Sequence, residues 1–180
     1  MTETLPTRRR CGFSGTALKL FACVTMLLDH IGASCIEARY GTAANCPAGL
    51  LKFDLTLRLI GRLAFPIFCF LLVEGFLHTH DVKKYIRRLL LFGAVSEIPF
   101  DMAFFRVPFH WGDQNVYWTL ALGVTAMAAM QHFQNAEGHL TWKGGLAAVG
   151  CALLAELAAT DYGAIGVALI AALYLTRNSR

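Results

Sequence analysis

The run LTLRLIGRLAFPIFCFLLVEGF, Leu55 to Phe76, is long enough to cross a lipid bilayer, yet it carries Arg58, Arg62 and Glu74 inside it. A spanning helix needs roughly 20 apolar residues at about 1.5 Å each. A charge near the middle of such a helix costs about 2.5–3.5 kcal/mol on insertion scales, so charges there call for a reason. The rest of the chain is of the same kind. Its 180 residues are 56% hydrophobic and 16% charged, with a mean hydropathy of +0.51. Soluble domains carry about a quarter charged residues. The composition predicts an all-α, polytopic membrane protein whose main partner is the lipid bilayer. The formal charge of +4 is too modest to suggest a nucleic-acid partner.

Six apolar segments meet the length criterion or approach it. They run from about Thr16 to Cys35, Leu55 to Phe76, Val82 to Phe104, Asn115 to His132, Gly144 to Ala159 and Tyr162 to Leu175. The last two are separated only by a tight turn and should form an antiparallel hairpin. Basic residues orient the bundle, because cytoplasmic loops collect Lys and Arg. Arg8, Arg9 and Arg10, then Lys83, Lys84, Arg87 and Arg88, then Lys143, Arg177 and Arg180 all fall on one side of six spans. Both termini are thus expected in the cytoplasm, with a flexible N-terminus over residues 1–15. A single transmembrane domain over 16–176 and a short tail over 177–180 complete the chain. Small residues at fourfold spacing, Ala147, Cys151, Ala155 and Ala159, suggest a close helix contact.

The N-terminal stretch has the basic start and apolar run of a signal peptide. Lys19, Asp29 and His30 interrupt that run and no Ala-x-Ala site follows, so an uncleaved first helix is expected. The six cysteines form no Cys-x-x-Cys pair, and zinc or redox motifs have no support. Cys35 and Cys46 flank one loop, where a disulfide would form if that loop faces an oxidising compartment.

The intramembrane polar residues share one depth. Tracing the six spans places His30, Arg58, Arg62, Glu97 and Asp101 in the outer half, with Asn115, Thr119, Glu156, Asp161 and Tyr162 at the outer ends. Lys19, Glu74, His78 and His80 fall on the inner side. Pro66 and Pro99 cannot donate to the carbonyls of Arg62 and Val95, which frees two acceptors near the polar layer. Asp29 and His30 are adjacent and diverge by about 100° on a helix. The carboxylate that orients His30 is therefore sought in Glu97 or Asp101. Ion pairs that merely hold helices together account best for Arg58, Glu74 and Glu156. His30 points to function instead, because an imidazole exchanges protons near neutral pH. The other histidines lie in loops or at interfaces. No two of them share a deep helical face, and a metal site is not expected.

The stretches LKLFACVTMLLDHIG, LRLIGRLAFPIFCFLLVEGFLHT, KKYIRRLLLFGAVSEIPFD, NVYWTLALG and TDYGAIGV follow one another in the order seen in the TraX family. The chain resembles that family from Lys19 to about Tyr174. The resemblance implies a bacterial inner-membrane protein that acetylates a pilin N-terminus, or a related factor for conjugation or fimbrial assembly. A wider similarity is to membrane acyltransferases of the O-antigen-modifying type, in which a basic residue stands eleven positions before a catalytic His on the first helix. Lys19 and His30 have that spacing, about 16 Å along one face.

These resemblances imply acetyl-CoA as co-substrate and no metal. Lys19, with Lys83, Lys84, Arg87 and Arg88, would hold the donor's phosphates, although a basic cluster of this kind also serves as a topology signal. His30 would be the general base, with Glu97, Asp101 or Asp29 orienting it. Arg62 or Asn115 would stabilise the oxyanion. The acceptor would be a pilin subunit or another envelope component. Two other readings stay open. One is a non-enzymatic assembly factor whose polar layer is interhelical glue. The other is a proton-coupled carrier, which the lack of two-half symmetry disfavours.

Overall fold

The computed structural model describes residues 14–40, 45–135 and 138–178. The expected flexible start, with Arg8, Arg9 and Arg10, lies outside the described residues, as does Arg180. Among the described residues the regular structure is all helix, joined by turns and loops that carry two isolated backbone bridges. The helices are α1 (Gly15–Ile31), α2 (Ala38–Tyr40), α3 (Ala48–Gly61), α4 (Ala64–Leu77), α5 (Val82–Phe104), α6 (Val116–His132), α7 (Trp142–Leu157) and α8 (Gly163–Asn178). Two helical stretches, Gly15–Glu37 and Ala48–Leu77, are long and apolar enough to cross a membrane.

Local chemistry explains most of the boundaries. Ser14 Oγ accepts from Ala17 N to start α1, Asp81 accepts from Lys84 N to start α5, and Asn115 Oδ1 accepts from Tyr117 N to start α6. Helix α5 has the predicted limits and carries Pro99 within it. The first predicted span differs. After Ile31 the chain widens into a π-helix, Gly32–Glu37, and Ser34 Oγ donates to the His30 carbonyl at 2.6 Å. Side-chain bonding to a carbonyl one turn back loosens a helix, and π-turns gather at functional sites.

The second predicted span also differs. It begins earlier, at Ala48, and breaks at Arg62 and Leu63 into α3 and α4. The physical cause is Pro66, whose missing N–H leaves the Arg62 carbonyl without its helical donor. Arg62 is therefore not on the α3 face of Arg58; it caps the end of that helix. Cys35 and Cys46, which the sequence left open as a disulfide, are free thiols.

Helices α6, α7 and α8 pack on one another and on α4 and α5. Their shared core joins Phe65, Cys69, Val73 and Phe76 to Leu120, Val124, Met127, Ile170 and Tyr174. The small-residue stripe of α7 does what its spacing predicts: Cys151 and Ala155 are buried beside Ala126 and Val167. Ala159, the fourth member, falls beyond the helix. On the other side α1 packs on α3 and α4. That crossing is close, because a Cβ on Gly61 would lie 2.2 Å from Asp29 Cβ, and one on Gly32 would lie 2.8 Å from Asp54 Oδ1. Glycine is required at both positions for the helices to meet.

Candidate functional site

Between α1, α4, α5 and the start of α6 the bundle leaves a cavity of about 320 Å³. Most of its wall is apolar: Met26, Phe65, Phe68, Phe100 and Phe104. The polar groups at its edge are Asp29, His30, Asn115, Tyr117, Asp161 and Tyr162. A second chamber of about 310 Å³ adjoins it and shares Met26, Phe68, Val116 and Tyr117 as common wall. The second chamber reaches Lys19 and Tyr85. His30 thus borders the first chamber and Lys19 the second.

His30 is held at the edge of the first chamber by the ring of Phe104, edge-on at 5.3 Å between centroids. Its Nδ1 is buried and makes no hydrogen bond. The nearest charge is the Asp29 carboxylate, 3.8 Å away and too far for a hydrogen bond. Asp29 is itself fixed by Arg58, whose Nη1 donates to it at 2.7 Å, while Arg58 Nε reaches Glu37 at 3.2 Å. Arg58 therefore holds the start and the π-helical end of this segment together. Asp54, buried on α3 one turn before Arg58, keeps one carboxylate oxygen without a partner.

The two carboxylates expected to orient His30 are engaged elsewhere. Glu97 accepts from Asn115 Nδ2 at 2.5 Å, from Trp118 Nε1 at 2.8 Å and from the Asn115 backbone at 3.3 Å. Asp101, almost fully buried, accepts from the His110 backbone at 2.7 Å and so fastens the outer loop over residues 105–114. Neither lines the His30 cavity. Of the three candidates, Asp29 alone stands within 4 Å of the imidazole.

The expected oxyanion donors are also displaced. Asn115 lines the cavity, but its amide donates to Gly93 O and Glu97 while its Oδ1 accepts from Tyr117 N. Arg62 is exposed at the α3–α4 break, outside the lining. Among the expected donor-binding residues, Lys19 borders the inner chamber. Lys83, Lys84, Arg87 and Arg88 stand exposed on the first turns of α5, the helix that brings Tyr85 and Leu89 to that chamber. Among the described residues no group of three or more His, Cys, Asp or Glu is arranged to hold a metal.

Sequence reasoning placed Asp161 and Tyr162 at the outer turn without giving them a role. The structure brings both into the His30 cavity. Tyr162 stacks flat on Phe65, 3.6 Å between ring centroids and 3° between planes. The turn that carries them is strained: Ala159 and Tyr162 have φ of 48° and 64°, a region side chains avoid. It is pinned throughout. Gln114 N donates to Ala159 O and Asp161 N to Gln114 O, Thr119 Oγ1 meets Thr160 Oγ1 and the Asp161 carbonyl, and Glu156 caps Ala164 N. The signal available beforehand was the unusual density of polar residues in a five-residue turn.

A family model described as TraX protein matches residues 14–180 of the chain. A curated relative, "Probable fimbrial assembly protein FimC, serogroup H1" of Dichelobacter nodosus, is 35% identical over 127 residues, which is 66% of this chain and 47% of the relative. The aligned region thus spans about half of that protein's length. No solved structure matches.

Proposed function

The chain belongs to the TraX family, and from that premise we propose that it is an integral-membrane acetyltransferase of the bacterial inner membrane. It takes an acetyl group from cytoplasmic acetyl-CoA and passes it to an acceptor in the outer half of the bilayer, a pilin N-terminal amine. The polypeptide crosses the membrane six times, with both termini in the cytoplasm. What supports this above all is the pair of adjoining chambers: Lys19 borders one, His30 the other, and Met26 and Phe68 line both.

The chemistry follows from that layout. Lys19, at the inner chamber, attracts the donor's phosphates, and the exposed cluster of Lys83, Lys84, Arg87 and Arg88 adds to the local positive potential. The pantetheine arm lies along the apolar wall and carries the thioester to His30. The imidazole removes a proton from the acceptor nitrogen. The nitrogen attacks the thioester carbonyl, the C–N bond forms, the C–S bond breaks, and the imidazolium returns its proton to the departing thiolate. Asp29, steadied by Arg58, stabilises the imidazolium from 3.8 Å. The phenols of Tyr117 and Tyr162, which border the cavity and have no hydrogen-bonded hydroxyl among the described residues, are better placed than Arg62 or Asn115 to donate to the oxyanion. The cysteines take no part, since direct transfer needs no thiol nucleophile.

A second reading has one observation in its favour: the FimC relative's name describes an assembly protein. In that case the chain is a pilus or conjugation assembly factor that binds a membrane subunit without chemistry. Acetyl-CoA separates the two. The purified protein in detergent should gain several degrees of thermal stability with saturating acetyl-CoA, because a ligand at 100 times its Kd adds about 2.7 kcal/mol. No shift, together with no transfer to an N-terminal peptide of pilin, would leave the assembly role standing.

A further inference from the structure

An amine acceptor poses a problem of proton count that a single histidine does not solve. At neutral pH the acceptor enters as R–NH3⁺, and the product is the neutral amide R–NH–CO–CH3. Two protons leave the nitrogen. One ends on the sulfur of the released thiol, and the other must go to water. A hydroxyl acceptor sheds only one, which the thiol absorbs. An amine site therefore needs a second group facing the acceptor, one that also offers the ammonium a counter-charge inside an apolar cavity.

Asp161 has the required position. It borders the cavity that His30 borders, from the opposite side of the bundle. Apart from the Tyr162 phenol, the other polar groups about its turn are consumed in holding the turn: the backbone on both sides of Gln114, the hydroxyls of Thr119 and Thr160, and the Glu156 carboxylate. The Asp161 carboxylate is the exception. It makes no ion pair among the described residues, and only the N–H of Tyr162 lies close to it. Asp161 reaches solvent at the turn although protein crowds its carboxyl, so a proton it takes has a route to water. Resting on the acetyltransferase reading above, we propose that Asp161 is the acceptor-binding residue, pairing with the ammonium and taking the first of its two protons while His30 takes the second.

The surrounding charges suit this task. The charges that act on Asp161 are Asp29 of α1, Arg58 of α3 and Arg62 at the end of α3. Arg58 is already bound to Asp29 and Glu37, which leaves the cavity end with carboxylate to spare. Burial, with Asp29 adding to it, pushes the Asp161 carboxyl up to about 6. A carboxylate of that basicity is a far better proton acceptor than an ordinary aspartate, yet it is still ionised when it meets the ammonium. The stacked rings of Phe65 and Tyr162 give the ammonium a π-face beside the carboxylate.

The test uses the full-length protein in lipid vesicles with acetyl-CoA and two probes. One is a short apolar peptide with a free N-terminal amine, and the other is the same peptide with a hydroxyl replacing the amine. Asp161→Asn should raise KM for the amine tenfold or more and change KM for the hydroxyl probe less than twofold. Its pH–rate profile with the amine should move upward, toward the amine's own pKa near 8, because the acceptor must then arrive already neutral. Asp161→Glu should recover at least a third of the amine efficiency, and it carries the test if the Asn variant does not fold. Equal changes for both probes, or none for either, would overturn the assignment of Asp161. Wild-type protein that transfers acetyl to neither probe would instead remove the acetyltransferase reading on which it rests.

Discussion

Two polar clusters sit side by side in this bundle, and they treat their hydrogen bonds in opposite ways. Around Glu97 the carboxylate, the Asn115 amide, the Trp118 indole and the Gly93 carbonyl satisfy one another within α5 and the start of α6. Around His30 the bookkeeping is left open. The imidazole Nδ1 has no hydrogen-bond partner, Asp29 stays 3.8 Å from the ring, and Asp161 has no ion pair among the described residues. Buried polar groups are normally paired, and each exception needs a cause. The closed cluster has all the marks of structure: it spends its donors on joining two helices. The open one faces a cavity and keeps groups unspent for a ligand. Degree of satisfaction separates the two.

The sharpest test of that contrast removes the open cluster's centre. His30→Ala should lower acetyl transfer by a factor of about 1,000 or more, equivalent to about 4 kcal/mol of barrier. The folded protein should lose little stability, since the ring is part-exposed, its Nδ1 makes no hydrogen bond and its aromatic contact is the edge of Phe104. Rates with acetyl-CoA and thermal unfolding, measured on the same preparation, decide it. A large drop in unfolding temperature with transfer retained would reverse the roles assigned to the two clusters.

The closed cluster should answer in the opposite way. Glu97→Ala strands the Trp118 indole N–H and one Asn115 amide N–H in a partly buried setting. Leaving such donors unpaired costs about 1–3 kcal/mol each, so a loss of about 3 kcal/mol is expected. Activity should fall in step with the folded fraction. If activity collapses while the unfolding temperature holds, Glu97 belongs to the chemistry after all.

The contrast also marks what could be read from the chain beforehand. Helix α5 has its predicted limits because Asp81 caps it and Phe104 ends its apolar run. The α7 stripe was visible as a spacing, and Cys151 and Ala155 are buried as that spacing requires. His30 and Lys19 stood out because each is costly in its run, and they border two adjoining chambers. The break at Arg62 was half visible: Pro66 announces a lost donor, but whether a helix bends or stops there depends on what it packs against. Partners across helices were out of reach. Glu97 faces α6 and not α1, a matter of helix rotation that residue spacing within one helix does not set. Asp161 was hidden for a related reason. Its place in the cavity depends on a turn with Ala159 and Tyr162 in left-handed conformations, which no preference of either residue foretells.

The smallest expected effect tests whether the two chambers work as one passage. Met26 lines both, and Leu27, its neighbour on α1, is exposed on a different face of the helix. Met26→Trp adds bulk at the shared wall, whereas Leu27→Trp adds it where the helix has room. If the thioester travels past Met26, the first variant should raise KM for acetyl-CoA about tenfold, close to 1.4 kcal/mol, and leave KM for the acceptor peptide unchanged. The second should match the wild type in both constants. Helical neighbours point about 100° apart, so the pair compares two faces of one turn with the backbone held nearly constant. Equal KM values in the two variants would mean that the donor reaches His30 by some other route. The inner chamber would then be a packing void, and Lys19 would lose its claim on the phosphates.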